Sequence, residues 1–364
     1  MWRIEHDGFG DTAQMAKRVK LLDVAKAAGV SQGTASNAFG KPDLVRPEVR
    51  ERIFEAAKEL GYRGPHVMAR MLRTGKAGAL GVVFPDNLEY AFSDPVAIEL
   101  LRGIGRECAR HGVNVMIISA ENPKQAIAAV NNAAVDAFLV HCYSDNNDII
   151  AAIQRRNQRL ISIDTDISGA VGTVVLDDFN AAKNAARHLL DCGAKNFAIL
   201  SLQATEHDHF GPMNPNRLGA ASHRVVRERM AGYHAALKDA GISADDIVHI
   251  ECDNQSAHSA KMTAEMLASH PEIDGILAMS DVIAIGALDG ARTTGRAVPN
   301  DLKVIGFDGI AAGERTDPPL STMYQDTVEK GRLAAEMALS EVGGRTITLE
   351  TRLLLRGSSQ VSSA

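Results

Sequence analysis

The chain has 364 residues, 45% hydrophobic and 23% charged, an ordinary globular composition with room for two or three domains. That excludes a disordered or collagen-like chain, and no apolar run reaches the roughly 18 residues a membrane span needs. The net charge of −6 hides an asymmetry: between Lys17 and Lys76 there are 13 Lys/Arg against 6 Asp/Glu, a surplus of +7 that leaves −13 elsewhere. A small basic head on a large acidic body suggests that only the head meets a polyanion; a basic solvated helix face is the plainer alternative.

Residues 1–16 lack periodicity and read as a flexible tail. Their first seven residues include Glu5 and Asp7, where a secretion signal needs an uninterrupted apolar stretch. The four cysteines, Cys108, Cys142, Cys192 and Cys252, are scattered singly with no C-x-x-C pair. Both features fit reduced thiols in a cytoplasmic protein. Residues 17–62 then form a small helical domain. Leu21, Leu22, Val24, Ala25 and Ala28 lie on one face of a first helix, and Gly29-Val30 breaks it. Ser31 is an N-cap for a second helix to about Phe39. Pro47 opens a third, with Val49, Ile53, Ala56, Ala57 and Leu60 on one stripe before Gly61. Residues 63–77, rich in turn formers, read as a hinge.

From Ala79 the rhythm becomes strand, helix, strand. The apolar runs Leu80–Phe84, Val113–Ile118, Ala137–Val140 and Leu160–Ile163 form one series. Phe197–Leu200, Ile247–Ile250, Ile276–Ala278 and Val304–Phe307 form a second. Apolar strands separated by helices predict an α/β fold: two doubly wound, parallel-sheet lobes with a cleft between them. The expected division is 78–164 with 326–352 for the first lobe, and 165–325 with 353–364 for the second.

Leu21–Ala28, Gly29-Val30 and Ser31–Phe39 together make a helix-turn-helix, whose second helix enters the DNA major groove by its N-terminal end. Ser31, Gln32, Gly33, Thr34, Ser36 and Asn37 then face the DNA, with Lys20 on the phosphates. Gln and Asn can bond adenine bidentately, whereas Ser and Thr reach phosphates or either type of base. A helical cap with a polar outer face is the competing reading.

The run Leu22-Asp23-Val24-Ala25-Lys26-Ala27-Ala28-Gly29-Val30-Ser31, followed by Thr34-Ala35-Ser36-Asn37, closely resembles the opening of bacterial LacI/GalR-family transcription regulators. So do Val45–Arg52 and Leu60-Gly61-Tyr62-Arg63. In order through the rest of the chain come Leu80-Gly81-Val82-Val83, His188–Gly193, Arg229–Tyr233 and Val304-Ile305-Gly306-Phe307-Asp308. The resemblance covers everything after about residue 18.

It implies a homodimeric repressor with a periplasmic-binding-protein-like core, bound to double-stranded operator DNA and, when so bound, to the nucleoid. Gln32 and Gly33 stand at the family's two principal base-reading positions. Asn37 replaces a common basic residue, Gly40 a common asparagine, and Arg46 the usual cap before Pro47. Leu72 matches the leucine that wedges into the minor groove, with Ala69 and Arg70 beside it; an interdomain packing leucine is the alternative. Only Ser358–Ala364 follow Gly357, without a leucine heptad, so a dimer is expected rather than a tetramer.

For the core, the resemblance implies an effector in the cleft, a sugar or related polyhydroxylated compound. Asp164, Arg229, Ser280, Asp281 and Asp308 fall at strand ends or helix starts, where open α/β sheets bind ligands. Phe92, Asp94 and Asn254 complete the candidates. Asn254 stands where many members offer an aromatic wall, which Tyr90, Phe92 or Tyr143 would then supply from the other lobe. The insertion Gln203–Ala221, with His207, Asp208 and His209, reads as a solvated loop before it reads as a metal site or lid, and no metal or cofactor is expected. An enzyme has only the fold for support, for the first βα junction, Val83-Phe84-Pro85-Asp86-Asn87, lacks Gly-x-Gly-x-x-Gly. A regulator with a decayed pocket is the remaining alternative.

Overall fold

A computed structural model of the chain describes residues 19–62, 75–85, 87–142, 148–205, 209–340 and 343–360. The chain divides into two compact units, Met1–Ala77 and Gly78–Ala364.

The first unit contains α1 (Leu21–Ala27), α2 (Gln32–Gly40) and α3 (Pro47–Glu59). Gly29, at φ 63°, supplies the left-handed turn between α1 and α2. The Ser31 hydroxyl caps α2 by accepting from the Thr34 amide at 3.0 Å. As expected from Arg46, α3 has no side-chain cap and starts on Pro47. Val24, Ala25, Ala35, Ala38, Ile53, Ala56 and Ala57 form the core where the three helices meet. The Arg52 guanidinium fastens α3 to the turn by donating to the Ala28 carbonyl at 3.0 Å.

The second unit has two lobes. In chain order the first gives β1 (Ala79–Phe84), α4 (Leu88–Ser93), α5 (Pro95–Arg110), β2 (Asn114–Ser119), α6 (Pro123–Asn132), β3 (Ala137–His141), α7 (Asp148–Arg155), β4 (Arg159–Ile163) and β5 (Gly172–Leu176). The chain then crosses to α8 (Asp178–Asp191), β6 (Phe197–Ser201), β7 (Gly211–Pro212), α9 (Pro215–Gly219), α10 (Arg224–Asp239), β8 (Val248–Glu251), α11 (Ser256–Ser269), β9 (Gly275–Ala278), α12 (Asp281–Thr293), β10 (Lys303–Asp308) and β11 (Ser321–Gln325). It returns through α13 (Thr327–Leu339) and β12 (Arg345–Leu349), and crosses again to β13 (Thr351–Leu354).

The first sheet runs β12-β5-β4-β3-β1-β2, all parallel. The second runs β13-β11-β10-β9-β6-β8-β7, with antiparallel strands only at its edges. All eight apolar runs read from the sequence are strands. The lobe boundary placed after Asp164 is too early, because β5 pairs with β4 and β12 in the first sheet. The first crossing therefore follows Leu176. Among the described residues no helix is long and apolar enough to cross a membrane.

Packing of α10 on the second sheet buries a pair of imidazoles, His234 and His249, with their Nε2 atoms 2.7 Å apart. One must donate and the other accept, so the two rings cannot both be charged, and burial lowers His234 as well. Burial, reinforced by His234, pulls His249 down to about 4. A histidine depressed in the folded state contributes stability that is present above its unfolded value of about 6.5 and lost as pH falls through the folded value. Denaturant unfolding at about pH 7 and about pH 5 should show a loss of roughly 1–2 kcal/mol from this pair. His249→Leu should reduce that loss; an unchanged pH slope in the variant would show that the pair is not its source.

Candidate functional site

The strands of both sheets point their C-terminal ends into a cleft of about 560 Å³, lined by residues from the two lobes. Of the five non-glycine residues with positive φ among those described, four stand at strand ends on this cleft. They are Cys142 (φ 52°) after β3, Asp164 (55°) after β4, Asn254 (56°) beyond β8 and Asp308 (119°) at the end of β10. Each left-handed residue costs about 1–3 kcal/mol, and strain of this kind gathers at ligand clamps.

A buried polar chain runs beneath the cleft. Arg229 of α10 is 3% exposed and stacks 3.5 Å from the Phe307 ring centroid. Its Nε donates to Asp178 at 3.0 Å, its Nη1 donates to the Met279 carbonyl, and Asp308 lies 3.9 Å away. Burial pushes the Asp308 carboxyl well above its usual range, against the pull of Arg229. Asp308 accepts from the Gln325 amide at 2.7 Å, and Gln325 in turn accepts from the Lys330 ammonium at 2.7 Å. Lys330 also donates to Asp164 at 2.6 Å, so the run from Asp308 through Gln325 and Lys330 to Asp164 links the second lobe to the first. Burial opposes ionisation of Asp164, but Lys330 and His141 outweigh it and hold the carboxyl below the usual range. The same closeness raises His141 to about 10 despite its burial, with Cys142 and Asp164 as its partners.

Asn254 does more than replace a stacking wall. Its amide nitrogen donates to the Tyr90 hydroxyl at 2.9 Å and to Asp94 at 3.2 Å, both in the first lobe. Its oxygen accepts from Ser280 at 2.6 Å. Asp94 meanwhile caps α5 by accepting from the Ala97 amide. Asn254 therefore clasps one lobe to the other at the side of the cleft.

Six of the expected effector residues line the cleft together: Asp94, Asp164, Arg229, Asn254, Ser280 and Asp308. Two expectations are corrected. Asp281 begins α12 with its side chain turned away from the cleft, accepting from the Gly309 and Ile310 amides at 2.8 Å each. It holds the loop after β10 and is absent from the lining. Phe92 is 63% exposed on α4 and also absent, because the helix turns Tyr90 rather than Phe92 toward the cleft. Tyr143, His207 and Asp208 lie outside the described residues. His209 bonds the Pro212 carbonyl at 3.2 Å. The insertion is partly ordered structure rather than plain loop: β7 extends the sheet, and Arg217 pairs with the buried Glu251 at 2.7 Å. Sequence reasoning missed His141, Cys142, Gln325 and Lys330; the only available signal for Lys330 was a lysine on the apolar stripe of α13.

In the first unit, Lys20, Ser31, Gln32 and Gly33 are exposed. Thr34, Ser36 and Asn37 are half-buried, while Ala35 and Ala38 turn inward. Leu72, Ala69 and Arg70 lie outside the described residues.

Residues 20–64 match the model of the bacterial regulatory proteins of the lacI family. Residues 77–352 match the model of periplasmic binding proteins and the sugar-binding domain of the LacI family. The chain belongs to the LacI family. An HTH-type transcriptional regulator of Mycolicibacterium smegmatis is 33% identical to it over 333 residues, covering 88% of this chain and 90% of that protein. A LacI-family regulator of Corynebacterium glutamicum of known structure is 26% identical with a TM-score of 0.72, covering 93% of this chain and 98% of the other. The structure of a LacI-family regulator from an Arthrobacter species in complex with lactose is 29% identical with a TM-score of 0.61, covering 78% and 99%. These two LacI units in sequence order, helical head then binding-protein core, are the architecture of a transcriptional regulator.

Proposed function

We propose that this LacI-family chain is a repressor whose affinity for operator DNA is set by a small polyhydroxylated effector, a sugar or a derivative, held in the cleft. The observation that carries the effector is the ring of Asp164, Asn254 and Asp308, with Arg229 beneath it, at opposed strand ends. Carboxylates and amides accept and donate in the pattern that several hydroxyl groups require, and the lactose complex of the Arthrobacter relative supports the ligand class. Among the described residues, Tyr90 supplies the one tyrosine ring on the cleft lining. Two copies of the chain would read a near-palindromic site by their twofold symmetry, with Leu72 as the minor-groove wedge. The chain acts by binding in the cytoplasm rather than by catalysis.

Affinity for DNA selected by the full-length protein from a random pool should fall steeply with added salt, as counterion release demands. Gln32→Ala should relax base preference at one position, at a cost of about 1–3 kcal/mol on the selected site. Lys20→Ala should weaken all sequences alike. Undiminished DNA binding by the chain from Ala77 onward would end this reading of the head.

A further inference from the structure

We propose that His141, Cys142 and Asp164 form a binding site for a divalent cation of the zinc class on the first-lobe wall of the cleft. One ligand atom from each lies within 4.8 Å of the others. The His141 Nε2 stands 3.4 Å from the Cys142 sulfur and 3.6 Å from the Asp164 Oδ2. Around a tetrahedral ion with ligand bonds of about 2.0–2.3 Å, neighbouring ligand atoms stand roughly 3.3–3.6 Å apart. The spacing of the imidazole nitrogen from the thiol sulfur is therefore already that of two neighbouring ligands of one ion, and Asp164 brings its carboxylate to the same place.

The backbone holds this arrangement in place. His141 ends β3 opposite Ile163 of β4, and the Cys142 amide donates to the Ile163 carbonyl at 3.0 Å. Cys142 and Asp164 then leave their strands in the left-handed conformation, one beside the other. The second, independent observation is the Asp164 Oδ1, which is buried and has no hydrogen-bond partner although its residue is 5% exposed. A buried carboxylate oxygen left in this state costs about 1–3 kcal/mol, and a cation would satisfy it.

The donor set narrows the ion. One imidazole, one thiol and one carboxylate form a borderline set that suits zinc and its neighbours better than calcium or magnesium. Binding displaces the thiol proton and the His141 Nε2 proton to solvent, since the thiolate and the neutral imidazole are the ligands. Lys330 occupies the Asp164 Oδ2 from the side of α13 and opposes the cation by charge, so Oδ1 is the oxygen left to coordinate. The Phe84 ring packs edge-on against His141 at 5.5 Å and shields the imidazole from water on that face. Three protein ligands leave a fourth position, as in zinc sites that exchange a water or a ligand oxygen. Because all three residues line the cleft, that position lies where an effector hydroxyl would enter. This last step rests on the effector reading; the cation site itself does not.

The test is a titration of the reduced full-length protein with Co²⁺ as the optical probe, followed by Zn²⁺. One equivalent should give a thiolate-to-cobalt charge-transfer band with tetrahedral ligand-field bands, and Zn²⁺ should abolish both. Cys142→Ser should remove the charge-transfer band, His141→Gln should weaken binding by at least about tenfold, and Cys192→Ser should leave the spectrum unchanged. If Cys142→Ser fails to fold by circular dichroism, His141→Gln decides alone. Absence of the band, its persistence in Cys142→Ser, or unweakened binding by His141→Gln overturns the site. DNA affinity measured on the same metal-free samples reports on the regulator reading separately, so the two can fail independently.

Discussion

Replacing Arg229 with alanine is expected to lower the unfolding free energy of the core by about 3–5 kcal/mol, the usual cost of breaking a buried ion pair from one side. The guanidinium balances Asp178, faces Asp308 and satisfies the Met279 carbonyl, all out of water. Its removal leaves Asp178 with Arg224 and Asp308 with Gln325 as their remaining side-chain partners, and opens a cavity against Phe307. On the proposed reading Arg229 would act on the effector through Asp308, by holding that carboxyl beside the cleft, as well as by lining it. Chemical denaturation of the variant measures the loss, and a change below about 1 kcal/mol would show that the pair is solvated. Effector response should vanish as well. DNA affinity of the folded fraction should persist, because Arg229 belongs to the other unit of the chain.

Gly103→Ala should cost about 3 kcal/mol, near the upper end for overpacking. A Cβ at Gly103 in α5 would stand 2.0 Å from the Val328 carbonyl oxygen, and one at Gly331 in α13 would stand 2.2 Å from the Leu100 carbonyl oxygen. The two glycines let the helices touch backbone to backbone. That approach matters beyond stability, since Asp94, which caps α5, lines the cleft, and Lys330 of α13 bonds Asp164, which also lines it. Gly105, two residues further along α5, has open space at its Cβ and is the control. There alanine should be neutral or stabilising by up to about 1 kcal/mol through helix propensity. Equal melting temperatures for Gly103→Ala and the parent chain would refute the close approach. Gly103 is thus a helix-packing glycine.

The head was legible because capping and spacing are local: Ser31, Gly29 and Pro47 each act within a turn of where they stand. The eight apolar strands were legible because a strand covered on both faces is apolar throughout. β11 (Ser-Thr-Met-Tyr-Gln) and β12 (Arg-Thr-Ile-Thr-Leu) carry no such run, and β5 hides behind a turn, which moved the lobe boundary. Strand-end position placed Asp164 and Asp308 on the cleft. It could not tell Ser280 from Asp281, because adjacent residues at a helix start point in different directions and only the loop amides of Gly309 and Ile310 decide which turns inward. The partnership of Asn254 with Tyr90 and Asp94 spans more than 150 residues of chain, beyond any local pattern. Gln325 reaches the cleft and Lys330 supports Asp164 from the second crossing between lobes, so their contribution exists only once both sheets are folded.

The central claim is that a polyhydroxylated compound in the cleft controls the head. It is tested most directly by following fluorescence anisotropy of the full-length protein on its selected DNA while adding neutral sugars, cyclic polyols, sugar phosphates and nucleosides in turn. The account predicts that at least one polyhydroxylated compound of the sugar class changes the DNA dissociation constant by about 5–150-fold, the usual range of allosteric coupling. A response to nucleosides alone, or a DNA affinity indifferent to every compound that calorimetry shows bound, would contradict it.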